Sequence, residues 1–288
     1  MKYGVIDIGS NSVRLMFSEN GITVYKTSRI TGLAKGMNET GALVGKNADD
    51  TLSAVSFFVG KARADGADEI FVFATSAVRT ASNSAEFICR IKDCCGVGVD
   101  VVSEETEAEI GYIGALGGND GGIIDIGGGS TEIQVVKNGV KTYAKSIPVG
   151  AVRLTDKCGQ NEEFLDKYCA ERVKEFGTIP CSDFTAIGGT ATTAAAMIIG
   201  LTEYSAEKIE GFVLNREDLF SLKKKVCEAT VGERKTFVGL QPGREEIIGS
   251  GLAFLCAVFD ILCIKSVKIS DKDNLEGYLI RKLYEQKD

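Results

Sequence analysis

Two aspartates stand at the ends of apolar runs, and the same small-residue turn follows each. Val5-Ile6-Asp7-Ile8-Gly9-Ser10-Asn11-Ser12 opens the chain, and Ile123-Ile124-Asp125-Ile126-Gly127-Gly128-Gly129-Ser130-Thr131 lies near its middle. Both read Asp-Ile-Gly-x-x-Ser, and both run on into a strand pattern, Val13–Phe17 and Glu132–Val136. A strand-end carboxylate beside a turn of Gly and Ser can hold a hard metal ion next to a phosphate, because the turn offers backbone N–H groups and hydroxyls to the anion. Asp7 and Asp125 are the expected metal ligands. Ser10, Asn11 and Ser12 in the first turn, and Gly127, Gly128, Gly129, Ser130 and Thr131 in the second, are the expected phosphate binders. One such Asp could serve merely as a turn former; two in equivalent positions point to two related lobes facing each other across a cleft.

Further residues join this set. Ile187-Gly188-Gly189-Thr190 reads as strand, turn and helix start, where free N–H groups bind anions, so Gly189 and Thr190 are added. Arg14 interrupts an apolar strand, and a charge there needs a partner or a ligand. Arg79 and Arg153 follow two other turns, where a solvated surface role is the simpler account. Ser103-Glu104-Glu105-Thr106-Glu107 is an acidic first helical turn, which favours the helix dipole whichever acid carries chemistry. The pattern does not separate Glu107 from Glu104 and Glu105.

The elements that must position these residues come in two similar series. Strands are expected at Tyr3–Asp7, Ser12–Ser18, Ile22–Lys26, Glu69–Ala74 and Val97–Val102. Helices are expected at Asn47–Ala64, Ala81–Asp93, with Ser82 or Asn83 as cap, and Ser103–Leu116, with Ser103 as cap. Gly117-Gly118-Asn119-Asp120-Gly121-Gly122 breaks the composition, and the strand–turn–strand opening then repeats. Phe184–Ile187 and Ser266–Ser270 read as strands, and Glu162–Phe176, Thr190–Ile199, Asn215–Ala229, Arg244–Leu262 and Asn274–Gln286 as helices. The expected fold is α/β, with two duplicated ribonuclease-H-like lobes over residues 1–118 and 119–288. The last helix, 274–286, is a candidate to pack back on the first lobe.

Composition narrows the chemistry. The 288 residues include no histidine, which excludes Ser-His-Asp and Cys-His catalysis and His-ligated metals. A general base must then be a carboxylate, or less readily Lys or Tyr, and a metal should be oxygen-bound, Mg²⁺ or Mn²⁺. Nine cysteines, without Cys-x-x-Cys, read as reduced and mostly buried thiols, Cys94-Cys95 being the only vicinal pair. A net charge of −7 argues against DNA binding. No apolar run approaches membrane-spanning length and no signal peptide is read, so a cytoplasmic protein without membrane association is expected.

Seven motifs carry a resemblance to a known family. Asp7–Arg14, Thr75–Arg79, Val102–Ala108, Ile124–Glu132, Pro148–Leu154, Gly188–Thr193 and Ser270-Asp271 occur in the order seen in exopolyphosphatases and guanosine pentaphosphate phosphohydrolases, of the actin, sugar-kinase and heat-shock-chaperone superfamily. The resemblance implies Mg²⁺-dependent hydrolysis of a terminal phosphoanhydride. It implies Glu107 as the base that activates water, Glu132 as its support, and Arg14 and Arg79 as neutralisers of the transferred phosphoryl group. Two positions depart from the pattern: Thr106 replaces a Glu, and Leu275 replaces an Arg. The chain also ends after two lobes, where longer members add helical domains. The leading expectation is release of the terminal phosphate of inorganic polyphosphate. The rivals are a guanosine pentaphosphate 5′-phosphohydrolase and a nucleotide or polyphosphate sensor with little turnover. The Gly-spaced helix Arg244–Leu262 is a candidate homodimer face and equally an internal core helix.

Overall fold

The computed structural model describes residues 1–181 and 183–286. The chain forms two compact units. One comprises Met1–Gly114 together with the C-terminal segment from Asn274, and the other comprises Ala115–Asp273.

The sheet of the first unit holds β1 (Lys2–Ile8), β2 (Ser12–Glu19), β3 (Ile22–Ile30), β4 (Glu69–Ala74) and β5 (Asp100–Val101) in the order β3-β2-β1-β4-β5. β1 is central, antiparallel to β2 and parallel to β4. Its near-continuous apolar run suits a strand covered on both faces. The helix Gly45–Ala64 packs on β1 and β2.

The second unit repeats this plan with β6 (Gly121–Ile126), β7 (Thr131–Lys137), β8 (Val140–Ile147), β9 (Phe184–Ile187), β10 (Val213–Asn215) and β11 (Ser266–Ile269), ordered β10-β11-β9-β6-β7-β8. β6 takes the place of β1, antiparallel to β7 and parallel to β9. The internal likeness reaches the backbone. Asn20-Gly21 and Asn138-Gly139 turn the two hairpins, all four residues at positive φ, as a type I′ turn demands. The ladders shift register at matching points, Phe17/Ser18 and Val135/Val136. The fold is therefore α/β, built on two ribonuclease-H-like sheets.

Several expectations change. The helix read from Arg244 starts at Ile248, which leaves Arg244 on a loop, and from Ile248 to Phe259 it contributes to the second unit's apolar core, with Asp260 and Ile261 exposed. The strand Val97–Val102 shrinks to two residues. Short helices at Met37–Thr40, Ser76–Thr80, Ala206–Ile209 and Val231–Arg234 were not legible, being too brief for a periodic pattern. Asn83 does not cap with its side chain. Its amide instead accepts from Leu43 N at 2.8 Å and donates to Leu43 O at 2.9 Å, tying down the segment before the helix Gly45–Ala64. Cys95, Cys158, Cys169 and Cys256 are buried, whereas Cys89, Cys94 and Cys263 are exposed, so burial covers fewer thiols than expected. Among the described residues, no helix is long and apolar enough to cross a membrane.

Candidate active site

In the first unit four charged side chains gather at the ends of β1, β2 and β4. Asp7, 3% exposed, is the register partner of Arg14 on β2. Arg14 donates to Asp7 Oδ2 from Nε at 3.0 Å and from Nη2 at 2.6 Å. The partner that Arg14 requires is thus the aspartate expected to hold metal, and the two neutralise each other. Thr75 N donates to Ile8 O, which sets the helix Ser76–Thr80 beside the end of β1. From that helix Arg79 Nη1 donates to Val102 O at 3.0 Å and to Glu107 Oε2 at 2.7 Å. Arg79 Nε and Nη2 are buried without a hydrogen bond, as is Asn11 Nδ2 in the turn. Such donors are costly to leave unmet and suit an anion.

Glu107 is singled out by direction. Ser103 Oγ accepts from Thr106 N at 3.1 Å and caps the helix Glu104–Leu116. Glu104 and Glu105 then face solvent, while Glu107, 7% exposed, turns inward. Burial pushes the Glu107 carboxyl above the usual carboxylate range; Arg79 pulls it down, and the Asp7 and Glu104 charges push it up. A carboxylate poised in this way is suited to take a proton from water. Thr106, at the family's Glu position, accepts from Ser103 Oγ at 3.0 Å within the cap.

The two turns share one geometry. Gly9 N donates to Ser12 O, and Gly127 N to Ser130 O, each at 3.0 Å. The next carbonyls are held from behind. Ser10 O accepts from Ala34 N, and Asn11 O from Thr31 N and Gly32 N; Gly127 O accepts from Ala151 N, and Gly128 O from Val152 N and Arg153 N. A trans peptide sets its N–H opposite its C=O. The N–H groups of Asn11, Ser12, Gly128 and Gly129 therefore point away from those donors, as an anion cradle requires. Gly150 allows this in the second unit, since a Cβ there would lie 2.6 Å from Gly128 O. Ser10, Ser12 and Ser130 are buried within the turns. Thr131 is drawn elsewhere: its hydroxyl donates to Val149 O at 2.6 Å, so it braces the turn rather than offering a proton to phosphate.

In the second unit Asp125 is the register partner of Glu132, both buried, and Ser146 Oγ donates to Glu132 Oε1 at 2.7 Å. Gly188, at φ 81°, has no room for a side chain, because a Cβ would overlap Asp125 Oδ1. At Gly189 a Cβ would overlap the Arg244 guanidinium, which therefore lies against the first turn of the helix Gly188–Ile199. Thr190 is buried against Gly251. Arg244 was missed in the sequence because the helix pattern absorbed it. The loop Gln241-Pro242-Gly243 ahead of it was the available signal.

The donor set fits Mg²⁺ best in this second unit. Like charges directly opposite on neighbouring strands repel, and a divalent cation between buried carboxylates reverses that. Among the described residues there is no group of three or more His, Cys, Asp or Glu suited to hold a metal. In the first unit Asp7 has its Oδ2 on Arg14, and its buried Oδ1 makes no hydrogen bond.

The chain is similar to proteins of known family. Exopolyphosphatase 2 of Mycobacterium tuberculosis is 27% identical over 279 residues, covering 87% of each chain. A guanosine-5′-triphosphate,3′-diphosphate pyrophosphatase of Photobacterium profundum is 26% identical, covering 96% of this chain and 58% of its own. The crystal structure of the Aquifex aeolicus member of the Ppx/GppA family matches with a TM-score of 0.81 at 25% identity, over 100% of this chain and 99% of that one. The description "Ppx/GppA phosphatase family" fits residues 16–286. With the duplicated turns and the inward-facing glutamate, this makes the chain a member of the Ppx/GppA phosphatase family.

Proposed function

We propose that the protein removes the terminal phosphate of inorganic polyphosphate by Glu107-assisted attack of water on the phosphoanhydride. Family membership makes it a phosphoanhydride hydrolase. The observation that carries the mechanism is the buried Glu107 carboxylate on the Arg79 guanidinium, beside Asp7. Glu107 orients water and accepts its proton. Arg79 fixes Glu107 and offers its remaining buried donors to the phosphoryl oxygens, where charge develops. In the first unit the turn N–H groups of residues 11 and 12 bind phosphate oxygens; the second unit carries its own cradle at residues 128 and 129. Arg14 is shared between Asp7 and the incoming anion; in the second unit Arg244 lies against the start of the helix Gly188–Ile199 and gives that unit its own positive potential. In the second unit Asp125 and Glu132 would hold Mg²⁺, which would supply charge neutralisation to a phosphate bound on that unit's turn. A reduced, cytoplasmic setting suits the exposed thiols of Cys89, Cys94 and Cys263.

The second reading is hydrolysis of the 5′-phosphoanhydride of guanosine pentaphosphate, the same chemistry with a nucleotide leaving group. It is supported by the Photobacterium relative. Phosphate release with Mg²⁺ from short polyphosphate, long polyphosphate and guanosine pentaphosphate, by wild type and Glu107→Ala, tests both. Turnover of one substrate, reduced on the order of 10²-fold or more in the variant, is expected. Binding without turnover in both proteins would make the chain a sensor instead.

A further inference from the structure

The helix that carries Glu107 is held from one side by the end of the chain. The C-terminal helix Asn274–Glu285 packs in the first unit, in one apolar cluster with Ile110, Val102 and Phe73. At Gly277 its backbone touches the backbone of the Glu107 helix. A Cβ there would overlap Ile110 O and lie 2.5 Å from Ile110 C. Ile110 is three residues beyond Glu107, on the same helical face. The neighbouring contacts hold this approach in register. Tyr278 stacks on Phe73 at 4.4 Å and donates to Asp100 Oδ2 at 3.0 Å, and Arg281 lies 3.6 Å from Glu109. On the other side of the glutamate, Arg79 is held by the helix that follows β4 and by its bond to Val102 O.

We infer that Gly277 is a positioning residue for the proposed hydrolysis: the backbone approach at Gly277 and Ile110 sets how far the Glu107 carboxylate stands from Arg79 and Asp7. The inference rests on the reading of Glu107 as the base. A methyl group at Gly277 cannot be met by side-chain movement, because the obstacle is backbone, so the two helices must part. Arg79 and Asp7 stay with the sheet, and the carboxylate is displaced from them. Misplacement on the order of 1 Å costs about 10²-fold in rate. The phosphate-binding turns sit on other elements, so binding is spared.

Gly277→Ala is compared with Tyr278→Phe, which loosens the same helix without adding an atom against Ile110, and with Glu107→Ala. Unfolding midpoints are recorded for all three. The expected result is a kcat for Gly277→Ala lower by about 10²-fold with KM within about threefold, while Tyr278→Phe keeps its kcat despite a lowered midpoint. A folded Gly277→Ala with wild-type kcat, or an equal fall in kcat for both helix variants, overturns the inference. If Gly277→Ala does not fold, Leu275→Phe decides, since it adds volume to the cluster with Ile110 and so presses the two helices apart rather than loosening one. A several-fold lower kcat at unchanged KM upholds the inference, and unchanged kcat overturns it. Full activity of Glu107→Ala would instead refute the base assignment itself.

Discussion

Glu132 stands directly opposite Asp125 on the β6–β7 ladder, whereas the matching place in the first hairpin holds Arg14 opposite Asp7. The duplicated frame thus carries opposite electrostatics in its halves. The first pair is neutral in itself. The second brings two acids together.

Mg²⁺ is therefore expected to stabilise the protein without substrate, through the second unit. Binding at 100 times the dissociation constant adds about 2.7 kcal/mol. A rise in unfolding midpoint with Mg²⁺ in wild type, absent in Asp125→Asn and retained in Asp7→Asn, is the expected pattern. Equal loss in both aspartate variants would return Asp7 to the metal.

The base should show in the pH profile. Glu107 acts deprotonated, so kcat falls as pH drops through its pKa, and burial places that limb above the usual carboxylate range. Arg79 holds the pKa down, so Arg79→Met should move the limb to higher pH as well as lower kcat. An unmoved limb would mean that another group titrates.

Gly188→Ala tests the seat of Asp125. The new side chain meets both a φ of 81° and the Asp125 carboxylate. The backbone term alone costs about 1–2 kcal/mol. A lowered unfolding midpoint and a loss of the Mg²⁺ response are expected in thermal melts.

Leu275, where the family pattern has an arginine, is 1% exposed among Tyr3, Val5, Phe73 and Ile110. Leu275→Arg should therefore not recover a substrate contact. It buries an unpaired charge, at about 3–5 kcal/mol. Denaturant unfolding should show that loss, with no gain in phosphate release.

Thiol titration separates the cysteines. Cys89, Cys94 and Cys263 are exposed, while burial pushes the Cys169 and Cys256 thiols far up. A disulfide reagent should modify the first three in the native protein, and Cys169 and Cys256 only after unfolding.

The sequence by itself determined the repeated plan and most of its parts. The Asp-Ile-Gly-x-x-Ser phrase, the Asn-Gly hairpins and the apolar runs are local signals: a turn needs its own residues at positive φ, and a strand covered on both faces needs a continuous apolar stretch. The tertiary structure decided which charges meet. That Arg14 answers Asp7, that Glu107 meets Arg79 from a buried position while Glu104 reaches the same guanidinium from the exposed side, and that Arg244 lies on Gly189 all depend on long-range packing. It also decided that the last helix returns to the first unit. Gly277 looks in sequence like a weak point in a helix, and only the Ile110 backbone beside it shows why no side chain fits there. Side-chain direction on a helix whose acids all suit its dipole is set by what the helix packs against, and no local pattern encodes that.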